Sequence, residues 1–277
     1  MTAILPAADL DIIIVNHNTS SDLQACLASL ASAPPAVSHH ICVVDNASAD
    51  DSVARVRSQW PGVEVLSLSE NGGFAHANNI GIRGTSARLM LLLNSDTLVP
   101  AGAIDRLIDR LEATAAVVAG PRLVDGTGRP EISWGPMLSP LGEARQLFRV
   151  RLAASRASWA QRSVERLLSR EREVDWVSGA CLLVRRAAAE SAGLLDERFF
   201  MYEEDVDFCA AIRANGGTVV YTPAAHVVHL RGRSVAAAGR PVAPWYDRSH
   251  VLFYEKHAPR WAPVLRIWLA TRGRAIR

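Results

Sequence analysis

The 277-residue sequence has almost no lysine, no paired cysteines and no long apolar runs. Lys256 is the only lysine, so arginine supplies nearly all of the positive charge. None of the four cysteines belongs to a Cys-x-x-Cys pair, and a reduced, cytosolic chain is the simplest account of them. The formal net charge of +2 gives no global field for nucleic acid, so we expect no nucleic-acid partner.

Recognisable targeting and membrane-spanning segments are also lacking. The first ten residues have no basic start and include Asp9, unlike a secretory signal. Apolar runs such as 12–15 and 89–93 are far shorter than the roughly 20 residues that cross a bilayer. We therefore expect a cytoplasmic protein whose membrane contact, where there is any, is peripheral at the inner face of the plasma membrane.

Hydrophobic periodicity in the first 120 residues predicts strands that alternate with helices. Short β-branched or leucine-rich runs, typical of strands buried on both faces, alternate with amphipathic stretches. Ser21 and Gln24 have the spacing of a capping box at the start of the first helix. This alternation predicts an α/β fold with a mostly parallel, Rossmann-like central sheet and helices on both faces. Strands are expected at 11–15, 41–44, 63–68, 89–93 and 117–119, and helices at 21–33, 51–59, 75–82 and 101–111.

The pattern changes after Gly120. Residues 121–140 contain several glycines and prolines and are predicted to form a loop. Residues 141–173 are predicted to form a helical, arginine-rich insertion, and residues 236–277 a basic helical extension. Between these two segments, a strand is expected at 181–184, helices at 187–192 and 206–215, and a short strand at 219–221.

Two segments, 141–173 and 260–277, mix arginine with tryptophan and leucine. Amphipathic basic helices of this kind can lie on anionic bilayers, which would suit a lipid-linked acceptor. Ordinary amphipathic helices that cover a sheet or an oligomer interface, a homodimer included, have the same composition. Both interpretations stay open from the sequence.

Two acidic residues follow predicted strands. Asp45 ends the second strand, and Asp96 follows the fourth. Ligands of an open parallel sheet bind outside the carboxyl ends of its strands, so both carboxylates are candidates for ligand binding. Helix capping is the alternative, and it is weaker for Asp96 because three residues separate it from Pro100.

Residues 203–207 carry four acids in five positions. Such a cluster near a crevice requires a cation or a proton-transfer role to compensate the repulsion. A solvent-facing first turn of a helix, which the helix dipole favours, is the alternative. His226 and His229 do not form a zinc site by themselves, but one histidine can join Asp96 around a divalent cation.

Asn71 to Phe74 include two glycines before a predicted helix, a weak phosphate-binding signal. The spacing matches neither the dinucleotide fingerprint nor the P-loop.

The turn at 71–74 is one of several short motifs that occur in a specific order along the chain. They are Ile-Val-Asn-His-Asn at 14–18, Val-Asp-Asn-Ala-Ser at 44–48, Glu-Asn-Gly-Gly-Phe-Ala at 70–75, Leu-Leu-Asn-Ser-Asp-Thr at 92–97, Val-Ser-Gly-Ala at 177–180, Leu-Asp-Glu-Arg-Phe-Phe at 195–200, Glu-Asp-Val-Asp at 204–207, and His229 with Gly232 and Ser234.

In this order the motifs resemble the inverting glycosyltransferases of family 2, which have the GT-A fold. The likeness runs from about Asp11 to about Ser234. It implies that a sugar moves, with inversion, from a nucleotide-diphosphate donor to a hydroxyl of a cell-envelope glycan or a lipid-linked, polyprenyl-type acceptor.

The resemblance assigns roles residue by residue. Asp205 matches the catalytic base, and Asp96 matches the last acid of the Asp-x-Asp metal motif. His229 matches a histidine that approaches the metal or the diphosphate, and Asp45 matches the acid that recognises the nucleotide base. The remaining implied residues are Asn18, Asn71, Gly72, Gly73, Phe74, Asn94 and Ser95 for the donor, and Trp176, Gly179 and Glu204 for the acceptor or sugar pocket.

One position departs from the family pattern, because Asn94 stands where the metal motif has its first acid. Rhamnosyltransferase-like members commonly have this variant, so the resemblance still implies an active enzyme with a divalent cation, Mn²⁺ or Mg²⁺. A histidine ligand favours manganese slightly. Rhamnose from a thymidine-diphosphate donor is the expected sugar, and other hexoses stay open.

The implied organisation is a nucleotide-sugar-binding half (1–120), an acceptor-binding and catalytic half (121–235) and the helical extension. Two alternatives could use a similar scaffold. A nucleotidyltransferase requires a glycine-rich basic signature near the first strand, which residues 16–20 do not provide. A non-catalytic sugar- or nucleotide-binding protein would be indicated by loss of Asp96 and Asp205, and both are present.

Overall fold

A nine-stranded sheet forms the centre of the protein. The computed structural model describes residues 8–230 and 243–274, so the motif residues Gly232 and Ser234 lie outside the described residues. The strands are β1 (Leu10–Asn16), β2 (His39–Asp45), β3 (Glu64–Ser67), β4 (Leu89–Asn94), β5 (Thr97–Leu98), β6 (Val118–Val124), β7 (Trp134–Gly135), β8 (Arg172–Val174), β9 (Trp176–Val177), β10 (Cys181–Arg185) and β11 (Val219–His229).

Helices cover both faces of this sheet, as predicted. Most of them connect successive strands, and two helices of the described residues follow the last strand. The helices are α1 (Ser20–Ser32), α2 (Ser52–Gln59), α3 (Phe74–Gly84), α4 (Ala103–Glu112), α5 (Pro140–Ala154), α6 (Ser158–Leu168), α7 (Arg186–Ser191), α8 (Glu204–Ala214), α9 (Ala243–His257) and α10 (Ala262–Thr271).

The strand order is β3-β2-β1-β4-β10-β6-β11-β5, with β8 paired to β11, while β7 and β9 form a separate pair. β1 is parallel to β2 and β4, and β10 is antiparallel to both β4 and β6. The carboxyl ends of β1, β2, β4 and β6 and the amino end of β10 therefore share one edge. This edge, called the carboxyl edge below, is where an open α/β sheet binds ligands.

The core lies in two layers, one on each face of the sheet. Ile12 and Ile14 of β1 pack with α1 and α4 in one layer, and Ile13 points into the other layer with α3, α6 and α8. A third apolar cluster joins Phe199 to Phe253 of α9. All four cysteines are buried and unpaired, as expected for small hydrophobic residues.

Several element boundaries differ from the prediction. β6 continues to Val124, so part of the predicted loop is strand. β11 passes through Pro223 to His229 because a register shift between Thr222 and His226 accommodates the proline. The predicted capping box is wrong. α1 begins at Ser20, and the side chain of Gln24 instead accepts a hydrogen bond from Trp60.

Arg186 stabilises the edge of the sheet opposite the carboxyl edge. Its guanidinium forms a buried ion pair with Asp11 (3.0 Å) and also donates to the carbonyl oxygens of Ile82 and Ala87.

We expect Arg186→Ala to lower the free energy of unfolding by about 3–5 kcal/mol, because the buried Asp11 carboxylate loses its counter-charge. Urea unfolding followed by circular dichroism measures this loss. The control is Arg88→Ala, which breaks an exposed pair with Glu112 and should cost at most about 1 kcal/mol; equal losses would contradict the prediction.

Candidate functional site

Backbone contacts join the end of β4 to the start of β10 and then to α8. The N–H of Asn94 donates to the carbonyl oxygen of Ala180 (3.0 Å). The preceding residue, Gly179, donates its N–H to Oδ2 of Asp205 (2.8 Å). Asp205 is therefore held at the carboxyl edge, next to the strand that leads to Asp96.

Asp45 lies at the same edge in a hydrogen-bonded network. Its Oδ1 accepts from Nδ2 of Asn16 (3.0 Å) and its Oδ2 from the N–H of Ser48 (3.0 Å). Asn18, in a left-handed conformation with φ 55°, accepts from the N–H of Ala49 through its side chain (2.7 Å). The loops after β1 and β2 thus brace each other, and Asp45 is buried at their junction.

The turn before α3 is organised by an asparagine whose role was not predicted. Asn46 accepts from the N–H of Gly72 (3.0 Å) and donates to Oδ1 of Asn71 (2.9 Å). Asn71 in turn accepts from the N–H of Gly73 (3.0 Å), and the N–H of Phe74 donates to the carbonyl oxygen of Phe200 (2.9 Å). These three N–H groups are therefore engaged within the protein, unlike those of a phosphate-cradling loop.

The glycines of this turn permit close approach instead. Gly73 has φ +88°, and a Cβ on it would lie 2.4 Å from the carbonyl oxygen of Phe200. A Cβ on Gly179 would lie 3.3 Å from Cβ of Asp205 and 3.4 Å from the ring of Phe74. The turn at 71–74 and the carboxylate of Asp205 are thus neighbours on either side of Gly179.

Asp96 and His229 also come together, as the sequence predicted. Nε2 of His229 lies 3.4 Å from Oδ1 of Asp96, and its Nδ1 lies 3.3 Å from Oε2 of Glu131. Burial lowers the pKa of His229, but the carboxylates of Asp96 and Glu131 outweigh burial and raise the pKa to about 9. Ser95 is tied to the loop after β1 through Thr19, hydroxyl to hydroxyl (2.9 Å).

The donor set around Asp96 fits a cation that is held by few protein ligands. Oδ1 of Asp96 and Oδ1 of Asn94 are both buried and have no hydrogen-bond partner. Within residues 8–230 and 243–274, no three histidine, cysteine, aspartate or glutamate side chains are arranged to hold a metal ion. Mg²⁺ and similar ions are usually bound by one or two carboxylates together with substrate phosphates, so a sparse protein site is compatible with such an ion.

The acidic cluster at 203–207 divides into paired and unpaired members. Glu203 binds His250 (2.6 Å), and Asp207 binds both Lys256 (2.8 Å) and His257 (2.6 Å). No basic side chain of the described segments forms an ion pair with the other two acids, 204 and 205. The cluster is therefore not a solvent-facing helix turn, and its two central acids are left available.

Glu204 and Asp205 have raised pKa values. Burial raises the pKa of Glu204 well above its usual value, and the adjacent Asp205 charge raises it further. Burial also raises the pKa of Asp205, although the N–H groups of Gly179 and Val206 stabilise its charged form. A carboxylate whose pKa is raised is a stronger base, which suits proton transfer.

Helix α9 supports the segment that carries these acids, and the sequence did not indicate this role. Tyr202 and Glu203 are consecutive residues in the left-handed region (φ 71° and 64°), an unfavourable conformation for non-glycine residues. Ser249 donates its hydroxyl to the carbonyl oxygen of Met201 (2.8 Å), and Trp245 stacks on Phe200. Together with the His250–Glu203 pair, these contacts hold the strained backbone one residue before Glu204.

Trp176 lies beside the contacts between α9 and the segment before α8. Its indole N–H donates to the carbonyl oxygen of Pro136 (2.9 Å), and its half-buried ring packs against the apolar cluster of Phe199 and Phe253. Trp176 belongs to β9, two residues before Ser178 and the Gly179 contact. The ring is thus at the predicted acceptor side, and its contact with a sugar stays a prediction.

The α/β sheet and the acids at its carboxyl edge, two of which form no ion pair with the described residues, fit an enzyme that transfers a sugar or a phosphate group. Comparison with known families makes the class specific. Residues 11–191 match the family model "Glycosyl transferase family 2". The chain belongs to that family, and it is a glycosyltransferase.

Two related proteins are sugar transferases. The chain is 29% identical to the N-acetylglucosaminyl-diphospho-decaprenol L-rhamnosyltransferase of Mycobacterium tuberculosis, over 100% of this chain and 92% of that protein. It is 27% identical to the low-salt glycan biosynthesis hexosyltransferase Agl10 of Haloferax volcanii, over 74% of this chain and 62% of that protein.

Solved glycosyltransferase structures confirm the predicted GT-A fold. The mannosyltransferase PcManGT of Pyrobaculum calidifontis, in complex with GDP-Man and Mn²⁺, aligns with a TM-score of 0.59 and 17% identity, over 94% of this chain and 68% of that chain. GalNAc-T7 with UDP, GalNAc and Mn²⁺ aligns with a TM-score of 0.59 and 17% identity, over 90% of this chain. This chain spans half of the GalNAc-T7 chain.

The support from α9 makes a testable prediction for catalysis. His250→Gln keeps a hydrogen-bonding group near Glu203 but removes the positive charge of the imidazole. Burial lowers the pKa of His250, but Glu143 and Glu203 outweigh burial and raise the pKa to about 10. We expect kcat to fall by about tenfold or more, because small displacements of catalytic groups are costly, while KM for the donor stays within about twofold. Steady-state kinetics measure both. Arg248→Gln, an exposed change on the same helix, should leave both constants unchanged; a rise in donor KM alone would show that α9 acts on donor binding instead.

Proposed function

We propose that this enzyme transfers L-rhamnose, with inversion, from a thymidine-diphosphate donor to a hydroxyl of N-acetylglucosamine on a polyprenyl diphosphate. The observation that carries the transfer chemistry is the placement of Asp205, bound by Gly179 next to the turn at 71–74. The choice of sugar and acceptor is supported by similarity to the mycobacterial rhamnosyltransferase along the whole chain.

Asp205 is proposed to act as the general base. Oδ2 accepts the hydrogen bond from Gly179 and Oδ1 one from its neighbour Val206, which fixes the carboxylate and leaves its remaining lone pairs for an acceptor hydroxyl. Base assistance of this kind contributes about 10²–10⁴ to the rate. Attack from the side opposite the leaving diphosphate inverts the anomeric carbon.

The donor is proposed to bind along the carboxyl edge. Asp45 would recognise the base beside Asn18, and the turn at 71–74 with Asn94 and Ser95 would flank the diphosphate and sugar. The buried network around Asp45 supports this role because it keeps the carboxylate in one orientation. The acceptor sugar is proposed to lie against Trp176 and Gly179, with Glu204 near its hydroxyl groups.

Asp96 and His229 are proposed to hold a divalent cation, with Asn94 beside them. A divalent ion supplies positive charge that stabilises the leaving diphosphate. The buried, unbonded oxygens of Asp96 and Asn94 and the 3.4 Å approach of His229 support this assignment. So do the Mn²⁺ ions in the two solved neighbours. The imidazole must be neutral to bind the ion, so the ion would displace the proton of His229. A neutral imidazole favours Mn²⁺ over Mg²⁺, which prefers oxygen ligands.

The base assignment predicts a separation of binding from catalysis. Asp205→Asn should reduce rhamnosyl transfer at least about 10²-fold, because the amide cannot accept the proton, while donor affinity stays within about twofold. Transfer to a short-chain N-acetylglucosaminyl diphospholipid and calorimetry with the donor measure the two effects. Since the pKa of Asp205 is raised, wild-type kcat/KM should increase with pH through a limb above the usual aspartate value of about 3.9.

Asp109→Asn, an exposed change on α4, is the matched control and should behave as wild type. Wild-type turnover by Asp205→Asn would remove this residue from the mechanism. Absence of transfer from thymidine-diphosphate rhamnose by the wild type, together with transfer from another nucleotide sugar, would change the donor but not the class.

The cation assignment makes a prediction that needs no turnover. Asp96→Ala should weaken binding of Mn²⁺ with the donor by at least about tenfold, because a carboxylate ligand is lost. Calorimetry with the donor in the presence and absence of Mn²⁺ measures the change, and Asp109→Ala serves as the exposed control. If the Mn²⁺-dependent gain in donor affinity is the same in Asp96→Ala and wild type, the cation lies elsewhere.

A further inference from the structure

We infer that the α5–α6 hairpin, together with the turn at 125–130, forms a surface that docks on an anionic phospholipid bilayer. This inference deepens the proposed function and rests on it in one respect, the lipid-linked acceptor. In the described residues no helix is long and apolar enough to cross a membrane. A lipid-linked acceptor would then have to be reached from a surface of the folded protein.

The outer face of this hairpin exposes large apolar side chains. On α5 the inner positions are occupied by Gln146, which donates to the carbonyl oxygen of Trp134, and by Arg149, which stacks on the Trp134 ring. The apolar residues of the outer positions therefore point away from the core, and two of them, Phe148 and Trp159, are 64% and 59% exposed. The exposed set is Leu141, Leu147, Phe148, Val150 and Trp159.

The same hairpin carries arginines that form no ion pair within the described segments. The two acids of the hairpin are both used internally: Glu143 binds His250 and Tyr254, and Glu165 binds Arg122. Arginines interleaved with exposed aromatic and aliphatic side chains match the charge and the apolar interior of an anionic membrane surface. Those without an ion-pair partner in the described segments are Arg145, Arg151, Arg156, Arg162, Arg166 and Arg170.

A cleft of about 550 Å³ lies between the hairpin and the turn at 125–130. Arg129, Arg156 and Arg162 line it, together with the hydroxyl group of Ser158 and the amide of Gln161. Guanidinium groups bind phosphate oxygens through paired N–H donors, so three of them around one cleft suit lipid phosphate groups. The cleft thus supplies polar contacts for headgroups beside the apolar side chains.

This surface is close to the proposed site. Pro130 lines the cleft, and the next residue, Glu131, contacts His229 (3.3 Å), which lies 3.4 Å from Asp96. The turn also follows β6, whose carboxyl end belongs to the carboxyl edge. A bilayer docked on the hairpin would therefore present the head of a lipid-linked acceptor next to the donor diphosphate.

The second basic segment, residues 260–274, is less suited to docking on a membrane. Arg266 of α10 pairs with Glu255 (2.5 Å), and Arg274, which follows α10, pairs with Asp247 (2.5 Å). Arg272 stacks on Trp268 within the same segment. Ion pairs thus occupy two of the four arginines described in residues 260–274, whereas six arginines of the hairpin segment lack an ion-pair partner among the described residues.

Vesicle co-sedimentation of the full chain tests the inference. Wild-type protein should bind vesicles of phosphatidylglycerol and phosphatidylcholine at low salt and bind pure phosphatidylcholine weakly, and salt should reduce binding. Each basic residue near an anionic surface contributes about 1 kcal/mol, so Arg156→Gln with Arg162→Gln should lower the partition coefficient about 25-fold. The matched control is Arg55→Gln with Arg57→Gln on α2, at the other end of the sheet, which should bind as wild type.

A second variant separates a bilayer from a subunit interface. Phe148→Ala with Trp159→Ala should also lose vesicle binding while its elution volume and its transfer to a short soluble acceptor stay unchanged. Failure of the wild type to bind anionic vesicles overturns the inference, as does equal loss of binding by the α2 control. So does a dimer in light scattering that Phe148→Ala with Trp159→Ala converts to monomer. Vesicle binding requires neither donor nor acceptor, so its failure is distinguishable from failure of the proposed reaction.

Discussion

The hydrogen bond from the Gly179 N–H to Asp205 joins the segment before a central strand to the first turn of α8, which carries the proposed base. Gly179 lies two residues before β10, a central strand beside β4, whereas Asp205 lies in the first turn of α8, after an irregular segment. The small size of Gly179 suits this contact, because a Cβ at this position would lie 3.3 Å from Cβ of Asp205 and 3.4 Å from the Phe74 ring. The contact brings Asp205 close to the turn at 71–74 and to the end of β4.

The charges around Asp205 depend on contacts with helix α9. Its neighbours in the acidic cluster are neutralised from one helix, Glu203 by His250 and Asp207 by Lys256 and His257. Lys256, the only lysine of the chain, also reaches Asp196 (2.8 Å) and so ties the loop before α8 to the same helix. Neutralisation of the outer acids leaves Glu204 and Asp205 without an ion-pair partner among the described residues. Burial raises the pKa values of both, which suits a base.

Much of this arrangement is visible in local patterns. The β-branched run of β1 and the leucines of β4 predict buried parallel strands, and strand ends place Asp45 and Asp96 at one edge before any coordinates are known. The resemblance also matched His229 to a histidine that approaches the metal or the diphosphate, and His229 lies 3.4 Å from Asp96. The passage of β11 through Pro223 was missed, because a proline normally ends a central strand and the register shift that permits it depends on the neighbouring β6.

Sequence by itself determined the fold class, the family and the chemical type of the principal side chains, because periodicity and short motifs are properties of neighbouring residues. Tertiary structure alone decided which acids of the cluster form ion pairs and that α9 supports the strained residues before Glu204. It also decided that the side chain of Asn46 binds the turn at 71–74. The arginines of the hairpin that form no ion pair with the described residues depend on it too, since Glu143 and Glu165 are turned toward His250 and Arg122. These features depend on partners about 25 to more than 100 residues away in the chain, and no local pattern specifies such pairings.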